Sequence, residues 1–520
     1  MFSKNILNSD QKELVKTILT WAAESKDATE YILESVYQLL IQRIKVGLTF
    51  DIAPTTSVGS ISYLRKDHKL SFSLDSKKAN NNLIIGENYD ALNNLILIEQ
   101  ELNPSDPGYD IIYIDPPYNT ESSAKDGNNA ADDKEDIKAN KFVYRDKFSR
   151  NGWLNMLRER LVLAKQLLNL NGVIFVSIDD NEQAYLKILM DEIFGEENFV
   201  ANFIWEKNYS PKNNNKFVSV NHDYILCYLK NRNWVTNFNR FERTEKQNSM
   251  YVYDDNDGRG RYCLGDLTKK GKNTYDIEWN GKIYKCPENS GWRFNKTKTK
   301  ELIADNRIYL PDDQNHRPRM KRYLSEVADV ISLSILPHKL VGHTGEAKQH
   351  LNSIIAGNNF DTPKSVRLIE YLIKLIDTGK TRVLDFYAGS CATAEAVLEL
   401  NQKDGGSRTY TMVTNNANEI GTKIAYERLF RINHGVGTKG ENFKWTNKNM
   451  AFNSNLSVYW VEQTKVGLTD EQNLDELVVV VKKMLGDFGV TNTTISVDRI
   501  LSKLRSLKSF IQPEKADDKD

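Results

Sequence analysis

Hydrophobic positions along this chain fall into distinct textures. Between about residues 80 and 205, short apolar runs alternate with stretches apolar at helical spacing. Asn82-Leu83-Ile84-Ile85-Gly86-Glu87-Asn88 predicts a strand ending in a turn, and Leu92, Leu95, Ile96 and Ile98 predict the helix after it. Tyr109-Asp110-Ile111-Ile112-Tyr113-Ile114 is β-branched and aromatic, suited to a buried strand. A helix through Phe148, Trp153, Met156, Leu157, Leu161 and Leu163 is expected to stop at Asn171-Gly172, ahead of a strand from Val173 to Ile178 that ends in Asp179-Asp180. A helix through Tyr185, Ile188, Leu189, Ile193 and Phe194, closing at Gly195, and a strand from Phe199 to Trp205 complete this part. Strands alternating with helices imply an α/β layer on a parallel sheet.

The alternation ends at Glu206. Through residue 345 aromatics and Asn become frequent and turn dipeptides recur (Asp257-Gly258, Asn280-Gly281, Ser290-Gly291), which predicts a β-rich insert. The α/β texture returns over 346–435. A helix through Val366, Leu368, Ile369, Leu372, Ile373 and Ile376 precedes the strand Val383-Leu384-Asp385. Then come the small-residue turn Phe386-Tyr387-Ala388-Gly389-Ser390-Cys391, a helix, a strand from Tyr410 to Val413 ending in Thr414-Asn415-Asn416, and a helix through Ile424, Leu429 and Ile432. At the ends, residues 1–46 read as two amphipathic helices and 47–80 as short strands, so that 1–80 forms an N-terminal assembly segment. Residues 436–520 form a C-terminal one, with an amphipathic helix over 470–485 and a frayed, charged tail from Glu514. Residues 119–140 are polar and long for a connection, in keeping with a mobile lid or a flexible insertion.

Composition narrows the class. A 520-residue chain with 40% hydrophobic residues holds several domains with real cores, and its 70 basic and 70 acidic residues cancel. Charge is nevertheless segregated, because residues 206–345 carry 25 Lys and Arg against 17 Asp and Glu, an excess suited to phosphate contact. Cys227, Cys263, Cys286 and Cys391 lie far apart and the seven His are scattered, so neither a disulfide frame nor a zinc site is expected. With no signal-peptide core near Met1 and no long apolar run, a cytoplasmic protein outside the membrane is expected.

The candidate chemistry begins where the strand from Tyr109 stops at Asp115-Pro116-Pro117-Tyr118. A carboxylate sits at a strand's C-terminal edge, and the two prolines hold the Asp115 and Pro116 carbonyls rigid and outside any ladder. Acceptors beside a flat ring suit an exocyclic amine: the acceptors take its hydrogens while Tyr118 stacks on the ring that bears it. The tetrapeptide alone is also compatible with an ordinary turn. The turn after Asp385 is of the kind that brings backbone close to a cofactor, and Asn415 and Asn416 are placed to meet a ribose.

Taken together, Asp115-Pro116-Pro117-Tyr118 resembles the catalytic motif of amino-methyltransferases, and Asp385-Phe386-Tyr387-Ala388-Gly389-Ser390 resembles their S-adenosylmethionine motif. Catalytic motif first, insert next and cofactor motif last is similar to the β-class order. Stretches around Arg158-Glu159-Arg160, Gly172 to Glu182, Phe360 to Ile369 and Tyr426-Glu427-Arg428 resemble the modification subunits of type III restriction-modification systems. The resemblance implies a Rossmann-like, S-adenosylmethionine-dependent methyltransferase domain split over 81–205 and 346–435, a target recognition domain over 206–345, and helical terminal segments. The implied activity is methylation of adenine N6 in a base flipped out of double-stranded DNA. Asp115, Pro116, Pro117 and Tyr118 would be catalytic; Asp385, Phe386, Ala388, Gly389, Ser390, Asn415, Asn416, Pro363 and Lys364 would bind the cofactor, with Pro363-Lys364 at its methionine end. A homodimer and a restriction (Res) helicase-nuclease partner are also implied. Two alternatives are a DNA-binding specificity subunit with weakened or lost catalysis, and an amino-methyltransferase for cytosine N4 or RNA. Where the family usually has a second glycine and then threonine, this chain has Cys391-Ala392; if that position demands positive φ, cysteine costs about 1 kcal/mol or more.

Overall fold

A computed structural model describes residues 56–118, 150–211, 217–313, 316–465, 471–491 and 495–507, with Thr20. Apart from Thr20, the helices expected over 1–46 lie outside the described residues, as do the loop 119–140 and the tail from Glu514.

The first part of the chain forms β1 (Thr56–Phe72), β2 (Asn80–Ile85), α1 (Asn88–Leu102), β3 (Tyr109–Ile114), α2 (Arg150–Leu167), β4 (Leu168–Ile178), α3 (Gln183–Phe194), β5 (Phe199–Glu206) and β6 (His222–Leu229). There follow β7 (Tyr262–Asp266), β8 (Thr268–Lys269), β9 (Ile277–Trp279), β10 (Lys282–Tyr284), β11 (Gly291–Trp292), α4 (Lys296–Ala304), β12 (Ile308–Tyr309) and β13 (Arg319–Tyr323). The chain then continues through β14 (Ile335–Leu336), α5 (Thr344–Ile354), α6 (Val366–Lys374), β15 (Arg382–Asp385), α7 (Ala392–Asp404), β16 (Thr409–Thr414), α8 (Glu427–His434), β17 (Asn455–Lys465), α9 (Glu471–Asp487), α10 (Val497–Lys503) and β18 (Arg505–Leu507).

One eleven-stranded sheet in the order β14-β5-β6-β4-β3-β15-β16-β2-β17-β1-β18 organises the molecule. Its centre, from β4 to β17, is parallel. These strands are apolar on both faces because each face is covered. Leu92, Leu157 and Leu189, from α1, α2 and α3, pack on one face with Ile112 and Ile174; Ile369 and Val397, from α6 and α7, pack on the other with Ile111 and Val383.

Three expectations change. β4 begins at Leu168, so Asn171-Gly172 lies inside the strand and does not end the helix before it. Pairing jumps from Tyr109–Leu168 to Ile111–Val173, and the bulge is held by Asn169 donating to the Asp110 carboxylate at 2.5 Å and by the Leu170 N–H donating to Asp106 at 3.0 Å. Residues 222–229, expected in the insert, form β6, which lies antiparallel between β4 and β5 with Ile225, Leu226, Cys227 and Tyr228 buried. The structure with its own core is shorter, gathering Leu267, Ile277, Tyr284, Trp292, Leu302, Ile303 and Ile308. Finally, strands within 56–85 and 455–465 belong to the central sheet. β17 pairs with β2, and the long β1 pairs with β17.

Candidate active site at the heads of β3 and β15

β3 and β15 are neighbours, yet the chain leaves them in opposite directions: β3 leads through α2 to β4, and β15 through α7 to β16. The two crossover helices cover opposite faces. Such a switch point opens a crevice at the carboxyl ends of the strands. Both sequence motifs emerge there, Asp115 one residue after β3 and the turn 386–391 directly after β15.

At the head of β3, the half-buried Asp115 uses one oxygen twice. Its Oδ1 accepts from the Tyr118 hydroxyl at 2.8 Å and pairs with the Lys364 ammonium at 2.7 Å. Lys364 also donates to the Tyr118 hydroxyl at 2.9 Å. The Pro117 carbonyl is taken by the Trp153 indole N–H at 2.6 Å, which fixes the exit of the motif against α2. The Asp115 and Pro116 carbonyls, the expected amine acceptors, carry no hydrogen bond among the described residues. Burial, reinforced by the Asp115 charge, pushes the Tyr118 phenol well above its ordinary range, so the hydroxyl stays protonated.

At the head of β15 the backbone folds tightly. The Ala388 N–H donates to the Val413 carbonyl at 3.0 Å, and the Cys391 N–H to the Ala388 carbonyl at 2.7 Å. Gly389 has φ 48°, and a Cβ there would stand 3.0 Å from the Phe360 ring, so the close approach requires glycine. Asp385 is buried, accepting from the Tyr387 N–H at 3.0 Å and the Thr393 hydroxyl at 2.6 Å. Burial pushes its carboxyl up to about 7. Cys391 lies at φ 59° and ψ 38°, left-handed, as the N-cap of α7.

The remaining expected residues divide. Phe386 is buried with the α1 and α2 core, its carbonyl accepting from Asn88 at 3.1 Å; the ring over Gly389 belongs to Phe360. Asn415 and Asn416 are exposed at the head of β16. Their side-chain carbonyls accept from the Ala417 N–H at 3.2 Å and the Thr422 N–H at 3.1 Å, which shapes the turn there. Pro363 is buried, whereas Lys364, expected at a cofactor's methionine end, stands on Asp115.

Supporting residues came from stretches read only as strand, helix or resemblance. Arg160 of α2 donates to Asn88 at 2.5 Å and pairs with Glu87, so one buried guanidinium fixes the turn that holds the Phe386 carbonyl. Arg428 donates to the Ser390 carbonyl at 3.0 Å and its hydroxyl at 3.2 Å, and pairs with the fully buried Glu395 at 2.6 Å. Burial alone would raise Glu395, but Arg428 and His350 overrule it and hold the carboxyl at about 2. His350, Glu395 and Glu399 have potential metal-ligand spacing, but the Glu395 oxygens are already taken by His350 and Arg428, which makes the cluster an ion-pair network.

Comparison with known proteins finds matches that run across both motifs. A family described as DNA methylase matches residues 109–432, from the start of β3 into α8, and a family of uncharacterised conserved proteins matches residues 1–105. The chain is 30% identical to the Type III restriction-modification enzyme StyLTI Mod subunit of Salmonella typhimurium, over 80% of this chain and 65% of that protein. It is 30% identical to the EcoPI Mod subunit of Escherichia phage P1, over 69% and 61%. It is also 30% identical to the Type II methyltransferase M.KpnI of Klebsiella pneumoniae, over 65% of this chain and 82% of that one. The chain thus spans somewhat under two thirds of the length of the Mod subunits it matches. A match running from β3 past the turn 386–391, over more than half of the chain, places it in the DNA methylase family.

Proposed function

We propose that this chain is a site-specific DNA methyltransferase acting on adenine N6 with S-adenosylmethionine, and that it serves as the modification subunit of a type III restriction-modification system. The observation that carries the reading is the juxtaposition of Asp115-Pro116-Pro117-Tyr118 and the turn 385–391 on adjacent strands at the switch point. The fit to the cofactor rests on the glycine-permitted approach at Gly389, the small buried Ala388 and Ser390, and Asn415 and Asn416 at the head of the next strand. When bound, S-adenosylmethionine supplies an electrophilic methyl group.

The chain's own residues align the amine. Asp115 and the Pro116 carbonyl accept its two hydrogens, which turns the nitrogen lone pair toward the methyl donor; alignment of this kind contributes several kcal/mol. The carboxylate and carbonyl dipole then stabilise positive charge growing on nitrogen. Flipping the base costs a few kcal/mol, offset by stacking on Tyr118. Adenine is favoured over cytosine N4 by the similarity to Mod subunits. A homodimer and a Res helicase-nuclease partner belong to the same proposal.

Transfer of labelled methyl from S-adenosylmethionine into DNA, followed by digestion to nucleosides, tests the base: label in N6-methyladenine is expected, and label in cytosine would refute the adenine assignment. Calorimetric titration with S-adenosylmethionine separates the enzyme from a specificity subunit lacking catalysis, which should give no binding heat.

A further inference from the structure

Lys364 stands where the site's charges meet. It precedes α6; the next residue, Ser365, donates its hydroxyl to the Val341 carbonyl at 2.7 Å, and Trp205 donates its indole N–H to the Gly342 carbonyl at 2.9 Å. Its ammonium lies 4.9 Å from the centre of the Tyr118 ring and 5.9 Å from that of Trp205, with the side chain only 10% exposed. Asp115 lies within electrostatic reach of two buried carboxyl groups, Asp223 of β6 and Asp385. Asp223 is paired with Lys207 at 2.5 Å, and among the described residues Lys364 is the cation paired with Asp115.

We propose that Lys364 is a positioning residue for the catalytic carboxylate: by engaging Oδ1 together with the Tyr118 hydroxyl, it fixes the Asp115 rotamer, offsets repulsion from Asp223 and Asp385, and leaves Oδ2 as the acceptor for the target amine. Oδ2 takes no hydrogen bond from any described residue. The electrostatics agree, since burial raises the Asp223 carboxyl, Lys364 and Lys207 draw it down, and Asp115 pushes it back up.

The inference rests on the proposed methyl transfer and is tested with full-length Lys364→Met and Lys364→Arg, using labelled S-adenosylmethionine and DNA from a host without adenine methylation. Lys364→Met should lower kcat about 30-fold or more while the KM for cofactor and for DNA stays within about 3-fold. Lys364→Arg keeps the charge and should restore kcat to within about 5-fold of the parent. If Lys364→Met gives no cooperative melt, Lys364→Gln takes its place. A rise in cofactor KM with kcat retained would make Lys364 a cofactor ligand. An arginine variant as slow as the methionine one would remove the role of charge, and unchanged kinetics in both would remove any role; each result overturns the inference. A parent protein that transfers no methyl would defeat the methyl-transfer reading and this one with it.

Discussion

At Cys391 a side chain with a Cβ occupies left-handed backbone, φ 59° and ψ 38°, where L-residues other than glycine lose about 1–2 kcal/mol. The thiol is fully buried, so its packing offsets part of that strain. Cys391→Ala removes the sulfur and keeps the strain, whereas Cys391→Gly removes both. We expect the glycine variant to be more stable than the alanine variant by about 1 kcal/mol in denaturant unfolding; the reverse order would mean that packing outweighs backbone strain. Asp385 yields a pH test. With its folded carboxyl raised to about 7, the unfolded chain releases the proton first. Stability from this group is therefore highest below the unfolded carboxylate range, is lost as pH rises toward 7, and stays level above it. Asp385→Asn should flatten the fall in melting temperature between about pH 5 and 7 relative to the parent. The sequence brought Asp115 and Gly389 into view because prolines and glycine dictate backbone locally. Lys364 stayed hidden in its actual place, since its bond to Tyr118 spans 246 residues and no local pattern encodes such a contact.

Among the elements, β3 was legible to the residue, because an apolar run cut by two prolines has one possible end. The start of β4 was not, because Asn-Gly reads as a helix stop, while here a polar bulge is sewn to Asp106 and Asp110 by tertiary hydrogen bonds. The seating of α7 against α8 through Glu395 and Arg428 was equally hidden, since its partners come from separate helices. Arg428→Met strands a buried carboxylate and loosens Ser390, and should cost about 3–5 kcal/mol of unfolding free energy. Glu395→Met combined with Arg428→Met should recover much of the loss, because no uncompensated charge remains. A double variant as unstable as the single would point to packing as the cause.

For the whole molecule, alternating strands and helices revealed the parallel centre of the sheet. β6, which lies past the change of texture at Glu206, escapes that reading because it joins the sheet antiparallel, outside the βαβ rhythm that betrays parallel strands. The outer strands escape for a related reason: β1 and β17 pair across about 400 residues, and sequence spacing carries no trace of that partnership. If the basic excess of 206–345 meets phosphates, DNA affinity should fall with salt along a log–log slope of about −4 or steeper, read by fluorescence anisotropy at several ionic strengths; a flat response would remove the insert from the DNA surface.

The central claim, methylation of adenine N6 at the Asp115 site, is tested most directly by sequencing for modified bases in the genome of a host that lacks its own adenine methylation, expressing either the parent chain or Asp115→Ala. The parent should place N6-methyladenine at one short recurring sequence. Asp115→Ala should place none while binding DNA within a few-fold of the parent. Absence of motif-specific adenine methylation with the parent, or its persistence in Asp115→Ala, would contradict the account.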